Sequence, residues 1–165
     1  MRKLGYLILV VLLTQACSGG YSFTGGSVGE AETLNVNFII NKATQVNPTL
    51  SQQLTEQIKD IFVQQTPLEL TSGQADLLIE GSITGYDVRP LSAQNNETTS
   101  QSRFTITIKI TFTNFLEPDK SYEQSFSRFR DYSSDNLFGD VENALVEEII
   151  VELSEDVMNR AIANW

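Results

Sequence analysis

The chain of 165 residues carries one thiol, Cys17, and no histidine. A lone cysteine makes no intramolecular disulfide, and without imidazole or further thiols it does not suggest structural zinc. A catalytic thiol normally needs a base to form the thiolate, and no imidazole is available for that. The serines lack a histidine partner for the same reason. Glu147 and Glu148 are adjacent, so on a helix their side chains diverge by about 100° and cannot share a reacting atom. Gly19-Gly20 and Gly25-Gly26 lack the lysine and the strand–helix context of a phosphate loop. The residues therefore point away from an enzyme, and no metal or cofactor is expected. Two kinds of chemistry remain: modification at Cys17 and anion recognition by arginine. Arg128 and Arg130 stand two apart on an expected strand, so they project on one face unless a bulge intervenes. The planar guanidinium fork suits phosphate. Arg103 and Lys109 are the next candidates. The competing reading is of surface arginines that offset nearby acids such as Asp131.

Position decides the reading of Cys17. Arg2 and Lys3 form a short basic start, and Leu4–Leu13 is an apolar run of ten residues broken only by Gly5 and Tyr6. Thr14, Gln15 and Ala16 lead into the cysteine. This is the layout of a secretory signal peptide, too short to span a bilayer, which takes about 20 residues. Cysteine as the first residue after the cut points to a bacterial lipoprotein, in which the thiol is acylated and becomes the new N-terminus. The lipobox is loose, with Leu13 one place early and Gln15 its weakest position; an ordinary signal peptide with an incidental cysteine is the plainer alternative. The expected organisation is a signal peptide over 1–16, a Gly- and Ser-rich lipidated tether over 17–29 and one domain over 30–165. Two or three acyl chains make attachment effectively permanent. No acid follows at the second mature position, which favours the periplasmic face of the outer membrane.

The mature chain would hold nine basic against 21 acidic residues, about −12. Such a balance disfavours nucleic acid and repels anionic headgroups. Membrane residence would then come from acyl chains.

The elements follow from periodicity. In Thr33–Ile40, Leu34, Val36, Phe38 and Ile40 alternate with polar residues, as in a half-buried strand. Asn47-Pro48 opens a helix whose apolar stripe is Leu50, Leu54, Ile58, Ile61 and Phe62, and Thr66-Pro67 ends it. A second strand lies within Ala75–Leu91, with Leu77, Ile79, Gly81, Ile83 and Gly85 on one face and a bulge or close packing at the glycines. Ser92–Ser102 is a polar connection. Arg103–Asn114 is the cleanest strand: Phe104, Ile106, Ile108, Ile110 and Phe112 point inward, and Thr105, Thr107, Lys109, Thr111 and Thr113 outward. Glu117–Lys120 is a hairpin turn, and Ser121–Asp131 a fourth strand whose imperfect alternation suggests a bulge or an edge. A long helix from Asp140 to Ala163 closes the chain. Its apolar line is Val141, Leu145, Ile149, Leu153 and Val157, and Glu142, Glu147, Glu148, Glu152 and Glu155 form a solvated face. The expected fold is α+β in two layers, a four-stranded sheet with two helices on one face, in the order β-α-β-β-β-α. Its core is expected to hold Leu34, Val36, Phe38, Leu54, Ile58, Ile61, Phe62, Ile106, Ile108, Ile110, Leu145, Ile149 and Leu153.

Taken together, "CSGGYSFTGGSV" (17–28), "NPTLSQQLTEQIKDIF" (47–62), "ADLLIEGSITGYDVRP" (75–90), "FTITIKITFTN" (104–114) and "EDVMNRAIANW" (155–165) resemble the lipopolysaccharide-assembly lipoproteins of the LptE type, in a divergent, acidic branch. The resemblance implies a non-enzymatic lipoprotein that plugs the lumen of an LptD-type outer-membrane β-barrel, helps it assemble and assists delivery of lipopolysaccharide to the outer leaflet. It implies two helices on a four-stranded sheet. Members that touch lipopolysaccharide use basic residues on its phosphates, which is the role Arg128, Arg130, Arg103 and Lys109 would take here. A lipidated binding module or chaperone for another outer-membrane complex is the alternative.

Overall fold

The computed structural model describes residues 28–45, 47–91 and 100–162. In chain order the elements are β1 (Thr33–Val36), β2 (Ile40–Asn41), α1 (Leu50–Gln65), β3 (Glu69–Leu70), β4 (Leu77–Leu91), β5 (Gln101–Asn114), β6 (Tyr122–Ser133) and α2 (Phe138–Ile162). The architecture is the expected α+β one, but the sheet has six strands, not four. Its order is β3-β1-β4-β5-β6, and β2 also pairs with β4. The additional strands β2 and β3 are two residues long each, too short to leave a period in the sequence.

Two strand regimes meet at β4. β1 and β2 run parallel to it, with β1 also parallel to β3, as the return through α1 requires. β4, β5 and β6 form a long antiparallel meander. Phe104, Ile106, Ile108, Ile110 and Phe112 of β5 are buried as their alternation demands, beneath Leu50, Leu54, Ile58, Ile61 and Phe62 of α1 and Ile149, Leu153 and Val157 of α2. Leu145 lies at the margin of this core, half-buried.

The helix ends have local causes. Asn47 Oδ1 accepts from the Thr49 N–H (3.0 Å) and hydroxyl (2.9 Å), so the chain turns before the helix and Pro48 precedes the N-cap residue Thr49. At the other end Thr66 adopts an extended conformation ahead of Pro67, and its hydroxyl donates to Phe62 O at 2.6 Å. Between β5 and β6, the expected turn is a single 3₁₀ turn at Pro118–Lys120.

The first strand departs from its alternation. β1 stops at Val36, and Asn37–Ile39 link it to β2. Asn37 N–H donates to Ile79 O at 2.9 Å, and Ile39 N–H to the buried Thr55 hydroxyl at 3.0 Å. This detour shifts the parity by one. Ile39 is fully buried, whereas Phe38 is 60% exposed and Ile40 turns outward. Phe38 therefore leaves the expected core and Ile39 enters it.

The glycines of β4 also separate. Gly81 faces the core opposite Ile110, where an added Cβ would lie 2.6 Å from Lys109 O and 2.7 Å from Ile110 Cδ1. The register shifts between Ile83 and Gly85, a bulge that moves Gly85 opposite Thr107 on the other face. The two glycines thus do not share a face.

Candidate functional site

Cys17 lies outside the described residues. The four candidate cations do not, and the structure divides them between the two faces of the sheet. On the edge strand β6, Arg130 stands opposite Phe104 and Arg128 opposite Ile106, so both project toward the helical layer. There they meet α2. Arg128 Nε and Nη2 donate to Asp156 at 2.6 and 2.5 Å. Arg130 Nε donates to Glu148 at 2.6 Å and its Nη2 to Glu152 at 2.6 Å. Glu148, Glu152 and Asp156 are spaced at four-residue intervals, one helical turn each, which stacks them along one face. Donation to Glu152 and then to Glu148 raises the Arg130 pKa, and donation to Asp156 raises the Arg128 pKa. The Arg130 hydrogen bond in turn lowers the Glu152 pKa.

Arg103 and Lys109 lie on the opposite, open face. Arg103 grips Asp131 with two hydrogen bonds of 2.7 and 2.8 Å while its guanidinium sits 3.7 Å from the Phe129 ring centroid. That hydrogen bonding lowers the Asp131 pKa and raises the Arg103 pKa. Lys109 pairs with Glu123 at 2.7 Å, and its hydrogen bond lowers the Glu123 pKa. Asp131, the acid expected beside Arg128 and Arg130, thus serves Arg103. All four cations are bound to carboxylates, so an incoming phosphate must exchange with them.

The acidic face of α2 is correspondingly less solvated than its sequence suggests. Glu147 and Glu155 are exposed. Glu148 and Glu152 serve the arginines, and Glu142 accepts from the Tyr86 hydroxyl and, at 2.8 Å, from Asn47 Nδ2. Burial is the main reason that the Tyr86 pKa is pushed up. This joint ties β4, the approach to α1 and the start of α2. No local pattern announces it, since Tyr86 and Glu142 are 56 residues apart.

A concavity of about 650 Å³ opens on the sheet face away from the helices, lined by residues that include Asn35, Asn37, Asp76, Leu78 and Phe115. Its one carboxylate from the β4 approach, Asp76, is already used. It accepts from Glu32 N–H, Thr33 N–H and the Thr33 hydroxyl at 3.0, 2.9 and 2.8 Å, and these bonds lower its pKa. Asp76 therefore fastens β1 to β4 and is a poor proton donor. Among the described residues no group of three potential ligands is placed to hold a metal ion.

A mixed sheet with two helices on one face is an architecture of solved bacterial lipoproteins. A minor lipoprotein from Acinetobacter baumannii is 14% identical, the match covering 81% of this chain and 94% of that one with a TM-score of 0.54. A rare lipoprotein B from Shewanella oneidensis is 10% identical, covering 78% and 92%, with a TM-score of 0.56. An uncharacterized lipoprotein B from Nitrosomonas europaea is 9% identical, covering 88% and 92%, also at 0.56. At these identities the likeness is one of fold. No curated protein matches the sequence. The family model described as "LptE: Lipopolysaccharide-assembly" matches residues 31–161, and the chain belongs to that family.

Proposed function

We propose that the protein is a lipid-anchored, non-enzymatic partner of an LptD-type β-barrel at the periplasmic side of the outer membrane, where it plugs the lumen, supports barrel assembly and assists lipopolysaccharide delivery. The observation that carries this reading is the family match across 31–161. The open sheet face supports it. Thr105, Thr107, Thr111 and Thr113, with Ser125 and Ser127 of β6, make a polar surface of the kind a polar lumen accepts. In this reading Cys17 is the acylated N-terminus after residues 1–16 are removed, and residues 17–29 are the tether. Lipopolysaccharide phosphate would reach Arg128, Arg130, Arg103 or Lys109 only by displacing the carboxylates they hold.

The test is a detergent pull-down of the tagged, acylated protein, with partners identified by mass, joined to depletion in cells. Recovery of a large barrel, and loss of surface lipopolysaccharide on depletion, is the expected result. Recovery of a different envelope complex with normal barrel levels would give the chain to the lipidated-module alternative. Cys17→Ala should abolish fatty-acid labelling; labelling that persists would remove the anchor.

A further inference from the structure

Among the exposed apolar side chains of the described residues, one pair is consecutive in the chain. Between β5 and the 3₁₀ turn, Phe115 is 58% and Leu116 49% exposed, side by side at the tip of a turn. Scattered exposed apolar residues need no explanation. This pair differs in its backbone. Phe115 N–H donates to Asp76 O at 2.9 Å. The N–H groups of Leu116 and Glu117 donate to Asn114 Oδ1 at 3.0 and 2.7 Å, and Asn114 is itself buried. Three successive amides at the tip are therefore satisfied internally. An unsatisfied amide is what normally penalises a turn that leaves water. The carboxylate that follows, Glu117, is paired with Lys120 at 2.8 Å.

The location of the turn indicates what it meets. Gly29, with φ of 68°, lies where an added Cβ would be 2.8 Å from Glu117 Oε1. The chain thus enters the domain beside this turn. Ten residues lie between Cys17 and Val28, a span of at most about 40 Å when extended. Leu137, at 74% the most exposed apolar side chain among the described residues, precedes α2 at the far end of β5 and serves as the distal reference.

We propose that the Phe115–Leu116 turn is a membrane-contacting tip, seated in the interfacial layer of the bilayer that holds the acyl chains of Cys17. The proposal rests on the Cys17 anchor of the function proposed above and concerns the acylated domain before it enters the barrel lumen. The surface it fits is zwitterionic, because exposed Glu30 and Glu32 on the entering chain and Asp119 in the 3₁₀ turn repel anionic headgroups. Two apolar side chains add orientation to an attachment that the acyl chains already supply: they fix which end of the domain faces lipid.

The test uses the acylated full-length mature protein in phosphatidylcholine vesicles, with acylation verified by mass. Phe115→Trp is made in a Trp165→Phe background, and acyl-chain-brominated lipid serves as quencher. Emission should fall with the brominated lipid for Phe115→Trp and hold for Leu137→Trp. Adding Leu116→Asp should abolish the loss without moving the unfolding midpoint, and phosphatidylglycerol should weaken it. An acylated protein whose Phe115→Trp emission is indifferent to bromine overturns the tip while leaving the anchor. Absence of acyl mass on Cys17 overturns the anchor and the proximity argument together. Quenching that is equal at both positions would mean an unoriented domain and also defeats the proposal.

Discussion

Ile39→Ala set against Phe38→Ala is the sharpest probe of the fold, because periodicity and structure disagree about which side chain is inside. Ile39 is fully buried, and its Cδ1 lies 3.4 Å from the point a Cβ on Gly81 would occupy. The substitution removes three carbons, a transfer loss of about 2.4 kcal/mol at ~0.8 per methylene. The unfilled space adds to this, which gives about 3 kcal/mol within the 2–5 range typical of such sites. The rigid backbone of β4 at Gly81 cannot collapse into the gap. Phe38, by contrast, is mostly in water, and its truncation should stay within about 0.5 kcal/mol. Urea unfolding followed by circular dichroism resolves the two. With a slope of 1–3 kcal/mol per molar, Ile39→Ala should lower the midpoint by roughly 1–3 M while Phe38→Ala leaves it nearly unchanged. Equal shifts, or a larger one for Phe38→Ala, would mean that the alternation runs unbroken through Ile40 and that the detour at Asn37–Ile39 is wrong.

Charge reversal of both Arg128 and Arg130 to Glu sets like charges against Glu148, Glu152 and Asp156. It should cost about 1–2 kcal/mol at low salt, scaled from exposed pairs of 0.2–1 kcal/mol each, and less at high salt, read from the urea midpoint under both conditions. Asp76, with its pKa lowered from the usual 3.8, contributes stability that is present above that value and lost as pH falls through the folded-state pKa. Asp76→Asn should therefore flatten the decline in stability below pH 4, measured as unfolding midpoints across that window. Gly81→Ala forces a carbon to within 2.6 Å of Lys109 O and should lower the thermal midpoint in line with an overpacking cost of about 1–3 kcal/mol.

What was legible in the sequence was whatever repeats over several residues. The stripe from Leu50 to Phe62 and the alternation of β5 rest on such repeats, and the structure has both; the broken alternation of Ser121–Asp131 left a bulge or an edge open, and β6 is an edge strand. A two-residue strand has no period, so β2 and β3 left no trace. The parity break at Asn37–Ile39 depends on Thr55, a residue sixteen positions away that accepts the Ile39 N–H. The candidate cations illustrate the same limit. Arg128 and Arg130 do share a face, as their spacing requires. That this face is the one toward α2 follows from the pairing register with Ile106 and Phe104, which the length of the intervening turn sets. The spacing of Glu148, Glu152 and Asp156 was visible, but nothing local ties it to two arginines on a different element.

The ladder between β6 and α2 has the form of a vernier. Two residues along a strand advance about 6.6 Å and one four-residue step along a helix about 6 Å, so alternate residues of β6 keep step with successive turns of α2. Arg130 meets Glu148 and Glu152, Arg128 meets Asp156, and further along Gln124 accepts from Arg160 Nε at 3.1 Å. The two elements run in opposite directions, and the scale is marked at both ends. Sliding α2 by one turn one way would bring uncharged Ala144 toward Arg130; sliding it the other way would press Arg160 against Arg128. The first slip leaves each arginine one carboxylate, Glu148 and Glu152, and the second sets Arg128 beside a like charge, so the observed alignment is the one that pairs the two arginines most fully. The ion pairs, each weak in water, thus act on uniqueness more than on strength, fixing where the last helix of the fold must come to rest.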